Sequence, residues 1–191
     1  MPTTFVSMYD ETSNFHNRRH PSHNSLIPTI SNRTTILYVT VCTEGRKIIL
    51  TSEEMHRIIV NSWLSTRDWI VGRYIIMPDH IHFFCAPIVF PPCNFRKWMK
   101  YWKSLVTKSY WTWREFSEHT GLSPKISTLG KRIHGHQSIF QRDCWDTQMR
   151  TGDAYREKLA YVRNNPVRKG LVENADDWPY QGEINVLRWF D

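Results

Sequence analysis

The sequence predicts an α+β fold: a ferredoxin-like βαββαβ antiparallel sheet with helices on one face and one further C-terminal helix. Three observations carry that expectation. Two alternating apolar runs flank a Pro-Asp pair in "RYIIMPDHIHFFCAP", which reads as a hairpin. Helix-period segments follow the first and third strand candidates, and the order β-α-β-β-α-β-α leaves no repeat and no splitting linker.

In order, "TTILYVTVCT" (Thr34 to Thr43) alternates and is β-branched, so it is strand one. In "TSEEMHRIIVNSWLSTR", Thr51 and Glu54 have capping-box spacing, while Met55, Ile58, Ile59 and Ser62/Trp63 trace one helical face. "DWIVGRYIIM" is strand two, Pro78-Asp79 suits a tight turn, and "HIHFFCA" is strand three, antiparallel to it. A helix is expected from Asn94 to Phe116 and a loop over 117–137, where glycines and Pro124 gather. "SIFQRDCWDTQMR" holds strand four, and a last helix runs from Gly152 to Asn164, stopping before Pro166. The chain divides into a basic arm (1–33), a single domain (34–180) and a tail (181–191).

Composition narrows the partners. With 14% aromatic and 40% hydrophobic residues the chain can build a core and is no disordered segment. Its 25 Lys+Arg against 18 Asp+Glu give a net +7, which suits a polyanion such as nucleic acid. The four cysteines have no disulfide-framework or C-x-x-C spacing, and neither a signal h-region nor a bilayer-length apolar run occurs. A reduced, soluble, cytoplasmic protein is expected, with no membrane partner.

Strand alternation puts His80 and His82 on one face, with Ile81 and Phe83 on the other. If the latter pair faces the core, both imidazoles project from the open face with Cβ atoms about 6–7 Å apart. Two rings at that separation can share a metal ion; they can equally be two partly exposed surface histidines. His134-Gly135-His136, among glycines, and His20-x-x-His23, in the arm, have nothing to hold their rings in place. Two imidazoles are also too few for a catalytic metal, so a third polar ligand must come from elsewhere.

The last helix offers one. Tyr155, Leu159 and Val162 form a stripe that reads as core. Tyr161 lies outside it, near Lys158, and shares a helix edge with Asn165 at i+4. The amide oxygen of Asn165 could complete a His-His-Asn site with Tyr161 beside it. A phenol with pKa about 10 is a poor nucleophile at neutral pH. A divalent cation on the non-bridging oxygens of a phosphodiester opens that group to in-line attack, and tyrosine can then store the bond as a covalent phosphotyrosine. The ligand set suits Mg²⁺ or Mn²⁺, although imidazole also suits Zn²⁺.

The helix "NFRKWMKYWKSLVTKSYWTWREF" has an apolar stripe through Phe95, Met99, Trp102, Leu105/Val106, Ser109 and Trp113. Arg96, Lys97, Lys100, Lys103 and Lys108 lie mostly off it, a face that can track phosphates or simply be solvated. Exposed members of Tyr101, Tyr110 and Trp111 could stack on unpaired bases.

Together, "VGRYIIMPDHIHFF", "IFQRDCWDTQMR" and "YVRNNPVRKGLVENADDWPY" resemble the REP-associated tyrosine transposases, a branch of the HUH single-tyrosine transposase superfamily, from about Arg33 to Trp178. The resemblance implies His80 and His82 as metal ligands, Tyr161 as nucleophile on a C-terminal catalytic helix, and Asn165 as a possible third ligand. It implies nicking of single-stranded DNA at palindromic intergenic hairpins, leaving a 5′-phosphotyrosine and a free 3′-OH. DNA contacts are expected from Arg18 and Arg19 of the arm, from the basic helix, from Lys131 and Arg132 in the loop, and from Lys158. A monomer in the cytoplasm, associated with the nucleoid, is expected. Cys144 and the ending "QGEINVLRWFD" depart from the family pattern. Two other readings stand beside this one: a non-catalytic, sequence-specific hairpin-binding protein, and a zinc hydrolase of small phosphoesters.

Overall fold

A computed structural model describes residues 35–89, 91–121 and 137–189 of the chain. Five strands form one sheet: β1 (Leu37–Cys42), β2 (Trp69–Met77), β3 (His80–Pro87), β4 (Trp145–Gln148) and β5 (Gln181–Glu183). Their spatial order is β4-β1-β3-β2-β5, with every pairing antiparallel, as the ferredoxin-like pattern requires. Met77 pairs with His80, so Pro78 and Asp79 alone make the turn between β2 and β3.

Helices α1 (Glu53–Leu64) and α2 (Phe95–Thr120) cover one face. The capping-box expectation for Thr51 is corrected: Ser52 is the N-cap, its hydroxyl accepting from the Met55 amide. Asn94 caps α2 by accepting from the Lys97 amide, and the helix runs four residues past Phe116 to Thr120, where it is capped by Gly121, whose φ of 62° suits a residue without Cβ. The buried stripe of α2 is Phe95, Trp98, Met99, Trp102, Val106 and Tyr110. Tyr110 is therefore core rather than a stacking platform, whereas Tyr101 is exposed. Under these helices lie Val39, Val41, Ile81 and Phe83, the odd-numbered residues of β1 and β3.

The opposite face builds a second core from Ile36, Tyr38 and Phe84, even-numbered along β1 and β3, and from Ile75 and Met77 of β2, which pair with His82 and His80. It is closed by α3 (Gly152–Arg163) through Tyr155 and Val162, and by Trp178 and Leu187. The face expected to be open is thus covered, because its strands present too many large apolar side chains to leave in water. A four-residue helix, α4 (Asn165–Arg168), follows α3 directly. Residues 181–189 are also integral. They supply β5, and Leu187 seats against Gly72 so closely that a Cβ there would lie 2.6 Å from its Cγ. Among the described residues no helix is long and apolar enough to cross a membrane.

A candidate metal and tyrosine centre

Strand parity sets His80 and His82 side by side, as the sequence implies. Their ring centres are 4.7 Å apart and their planes nearly perpendicular, at 82°. Each is only 3% exposed, which corrects the expectation of rings projecting from a bare face. Both are held through Nδ1. His80 Nδ1–H donates to Asp79 Oδ1 at 2.6 Å, and Asp79 Oδ2 lies 2.7 Å from Arg46 Nε. His82 Nδ1 is bonded to the Tyr38 hydroxyl at 2.7 Å and the Thr40 hydroxyl at 2.9 Å. Register explains the second pair: Thr40 stands directly opposite His82 across β1 and β3, and Tyr38 lies next along the same face.

This is how metal-binding histidines are oriented: one ring nitrogen donates to an oxygen, and the other keeps its lone pair. Charge agrees. Burial lowers the pKa of His80 despite the opposing pull of Asp79. Burial lowers His82 further, aided by His80, Lys158 and Arg168. Burial alone would raise Asp79, but the hydrogen bond and charge of His80, with the Arg46 charge, hold it below the usual carboxylate value. Neutral imidazoles beside an ionised carboxylate fit a divalent cation, to which His80 and His82 would offer their Nε2 lone pairs. Among the described residues no group of three His, Cys, Asp or Glu side chains is placed to hold a metal ion, so a third protein ligand would have to be of another type.

Asn165 is of that type and is buried, at 5% exposure. It does not continue the helix of Tyr161: the chain leaves α3 at Asn164 and restarts with Asn165 and Pro166 in the first turn of α4. Its Oδ1 accepts from Arg168, which also donates to the Tyr161 carbonyl at 2.9 Å and lays its guanidinium 3.6 Å from the Tyr161 ring centre. Lys158 Nζ sits 5.1 Å from that ring and 5.0 Å from the ring of Tyr38, whose hydroxyl holds His82. One ammonium therefore bridges the tyrosine of α3 to the support of the histidine pair. Tyr155, by contrast, packs edge-on against Phe84 in the core, as its place on the wheel implies.

Arg168, Tyr38, Thr40 and the supporting role of Asp79 were not found in the sequence. Asp79 was legible only as a turn residue, although its position next to His80 was a usable signal. The expected DNA contacts divide. Arg96, Lys97, Lys100 and Lys108 are exposed on α2, across the sheet from the histidines. Lys103 is corrected: it is 7% exposed, and its three N–H donors go to the carbonyls of Gln141, Arg142 and Asp143. Arg18, Arg19, Lys131 and Arg132, with His20, His23, His134 and His136, lie outside the described residues.

No family model matches the chain. It is 21% identical over 134 residues to a REP-associated tyrosine transposase of Escherichia coli (strain K12), a match covering 70% of this chain and 66% of that relative, just under two thirds of its length. A solved structure of a REP-associated tyrosine transposase bound to a REP hairpin has the same fold, with a TM-score of 0.54 and 19% identity over 83% of this chain and 82% of that one. Both comparisons lead to the REP-associated tyrosine transposases, the group that the sequence motifs resemble.

Proposed function

We propose that the protein is a metal-dependent single-strand DNA endonuclease and strand transferase that binds hairpin DNA and cuts it through a 5′-phosphotyrosine at Tyr161. The relatives' names support the substrate class: one is a REP-associated tyrosine transposase, and another was solved with a REP hairpin. The observation that carries the reading is the Lys158 bridge, which ties the tyrosine of α3 to the Tyr38–His82 pair.

In this reading His80 and His82 hold a divalent cation, Mg²⁺ or Mn²⁺, with the amide of Asn165 available as a further oxygen donor. A cation held by these residues would supply charge neutralisation and orientation of the phosphodiester. The Tyr161 oxygen attacks phosphorus and its proton leaves to solvent. The bond from phosphorus to the 3′ oxygen breaks, that oxygen takes up a proton, and a free 3′-OH remains. Arg168 and Lys158 fix the ring and place positive charge beside the phosphate. Strand transfer is the reverse attack by another 3′-OH.

A second reading, a non-catalytic hairpin-binding protein, is favoured by two features: Arg168 already engages the Asn165 oxygen, and the positive charges of Lys158 and Arg168 bear on His82. Incubating the protein with host intergenic palindromes, with Mn²⁺ or with EDTA, separates the two. Transposase-like chemistry gives a protein–DNA adduct that survives denaturing electrophoresis and needs the metal. Hairpin retention with no adduct under any metal supports the binder.

A further inference from the structure

A cavity of about 480 Å³ opens beside His80, between the loop after β1, the Pro78-Asp79 turn and the segment after α4. That volume lies in the range of ligand pockets, about 300–1,000 Å³. Its lining has three chemistries. Ile48, Met77, Pro78 and Leu171 are apolar, and Ile48 and Leu171 remain 77% and 41% exposed at its edge. Arg46 and Lys169 are cationic, and the Asp79 carboxylate, ion-paired with Arg46, is anionic. Arg46 adopts φ 55°, a left-handed conformation uncommon for a residue with Cβ. It is held there by its Nε contact to Asp79 and by a bond from Nη1 to the Cys42 sulfur. The strained arginine therefore touches both the carboxylate that orients His80 and the cavity wall.

We infer that this cavity is a protein-built subsite for the base of the nucleotide adjoining the scissile phosphate. It rests on the reading of the histidine–tyrosine site given above. The base packs on the aliphatic edge of Ile48 and Leu171, and the attached phosphate lies toward Arg46 and Lys169. Single-stranded DNA is the occupant with both a flat apolar face for Ile48 and Leu171 and a negative charge for Arg46 and Lys169, two cations against the single Asp79 carboxylate, and His80 forms one wall of the cavity. Base choice at the cut is thus made partly by the protein's own surface.

The test is equilibrium binding in EDTA, so that no cleavage intervenes. The probe is a palindromic DNA hairpin with short single-stranded extensions, carrying one abasic residue moved along each extension in turn. Full-length wild type is compared with Ile48→Trp, an exposed substitution that fills the cavity mouth, and with Lys169→Gln. One abasic position is expected to weaken wild-type binding about tenfold, the scale of one stacked base. That position should have no effect in Ile48→Trp, while hairpin lacking extensions binds both proteins equally. A flat abasic profile, or one that Ile48→Trp leaves unaltered, overturns the subsite. Adduct formation with Mn²⁺ is scored separately: adduct with a flat profile removes the subsite alone, and a sharp profile without adduct removes the cleavage reading alone.

Discussion

The two faces of the sheet are built from alternate residues of the same strands, yet they solve burial differently. Under α1 and α2 the face is an aromatic stack: Trp63 lies parallel to Trp102 at 5.3 Å, and Trp102 stacks on Phe140 at 5.4 Å. Several of its polar atoms are left unpaired. The indole nitrogens of Trp63, Trp98, Trp102 and Trp113 are buried with no hydrogen-bond partner among the described residues. Each such group costs about 1–3 kcal/mol, which the burial of a large ring offsets. Under α3 the face buries Thr40, His80, His82 and Asn165, and each of these is hydrogen-bonded. Burial alone therefore does not mark a functional site in this molecule. A buried polar set whose members fix one another's orientation does.

The largest break in that contrast is Tyr161→Phe. Removing one oxygen keeps the ring under Arg168 and Lys158, so hairpin affinity and thermal midpoint should stay near wild type while adduct formation with Mn²⁺ is abolished. Tyr155→Phe is the control, because its ring packs in the core against Phe84, and adduct should persist. Adduct from the Tyr161 variant would move the nucleophile elsewhere.

Next in size is the support of His82. Thr40→Val and Tyr38→Phe together remove both oxygens at Nδ1 and leave the ring free to turn or change tautomer. Losses of a metal ligand's hydrogen-bonded partner typically cost about 10–100-fold in metal affinity. Mn²⁺ binding followed by electron paramagnetic resonance should show a weakening of that order. The matching change on the other face, Trp98→Phe, removes an unpartnered nitrogen and should leave Mn²⁺ affinity unaltered.

Acid acts on the histidine face with a definite sign. Burial holds the folded pKa values of His80 and His82 below the ordinary imidazole value of 6.5, so between the folded and unfolded values the unfolded chain binds more protons. Their contribution to stability is full above about pH 6.5 and is lost as pH falls toward the folded values. Asp79 works in the same direction at lower pH, since its folded pKa lies below 3.8. In EDTA, the urea midpoint should be lower at pH 5 than at pH 7.5, and His82→Gln should flatten that difference. An unchanged slope in the variant would assign the acid sensitivity to other groups.

What could be read from the sequence follows the range of the interaction. The parity of His80 and His82 and the core place of Tyr155 are local consequences of period 2 and period 3.6, and they hold, whereas Tyr161, read as off the stripe, packs half-buried against the second core as Leu159 does. The partners of His82 lie 42 and 44 residues earlier, joined by strand register that no local pattern specifies. The break between Tyr161 and Asn165 escaped because Pro166, correctly read as ending a helix, also suits the first turn of a new one. The tail offered only three strand residues, too few for alternation to register, and what fixes it is contact with Gly72 and pairing with β2. Lys103 looked like its neighbours on the helix; only the loop carbonyls of residues 141–143 distinguish it.

That lysine gives the finest test, because Lys100 and Lys103 are one turn apart and share a cavity of about 500 Å³ with Arg96 and Arg142. Lys100 is exposed, so if it meets a DNA phosphate, Lys100→Gln should weaken hairpin binding at every sequence and reduce the slope of log K against log salt by about 1. Lys103 has every donor occupied by a carbonyl, and burial lowers its pKa against the pull of neighbouring acidic groups. Lys103→Met should leave that slope unchanged and instead loosen the 141–143 segment, costing about 1–3 kcal/mol by leaving carbonyls unpaired. Urea unfolding and salt-dependent anisotropy, run on both variants, should therefore give opposite patterns. A reduced salt slope for Lys103→Met would mean that the ammonium leaves its carbonyls to meet DNA, and the aromatic face would then be a working surface rather than scaffold.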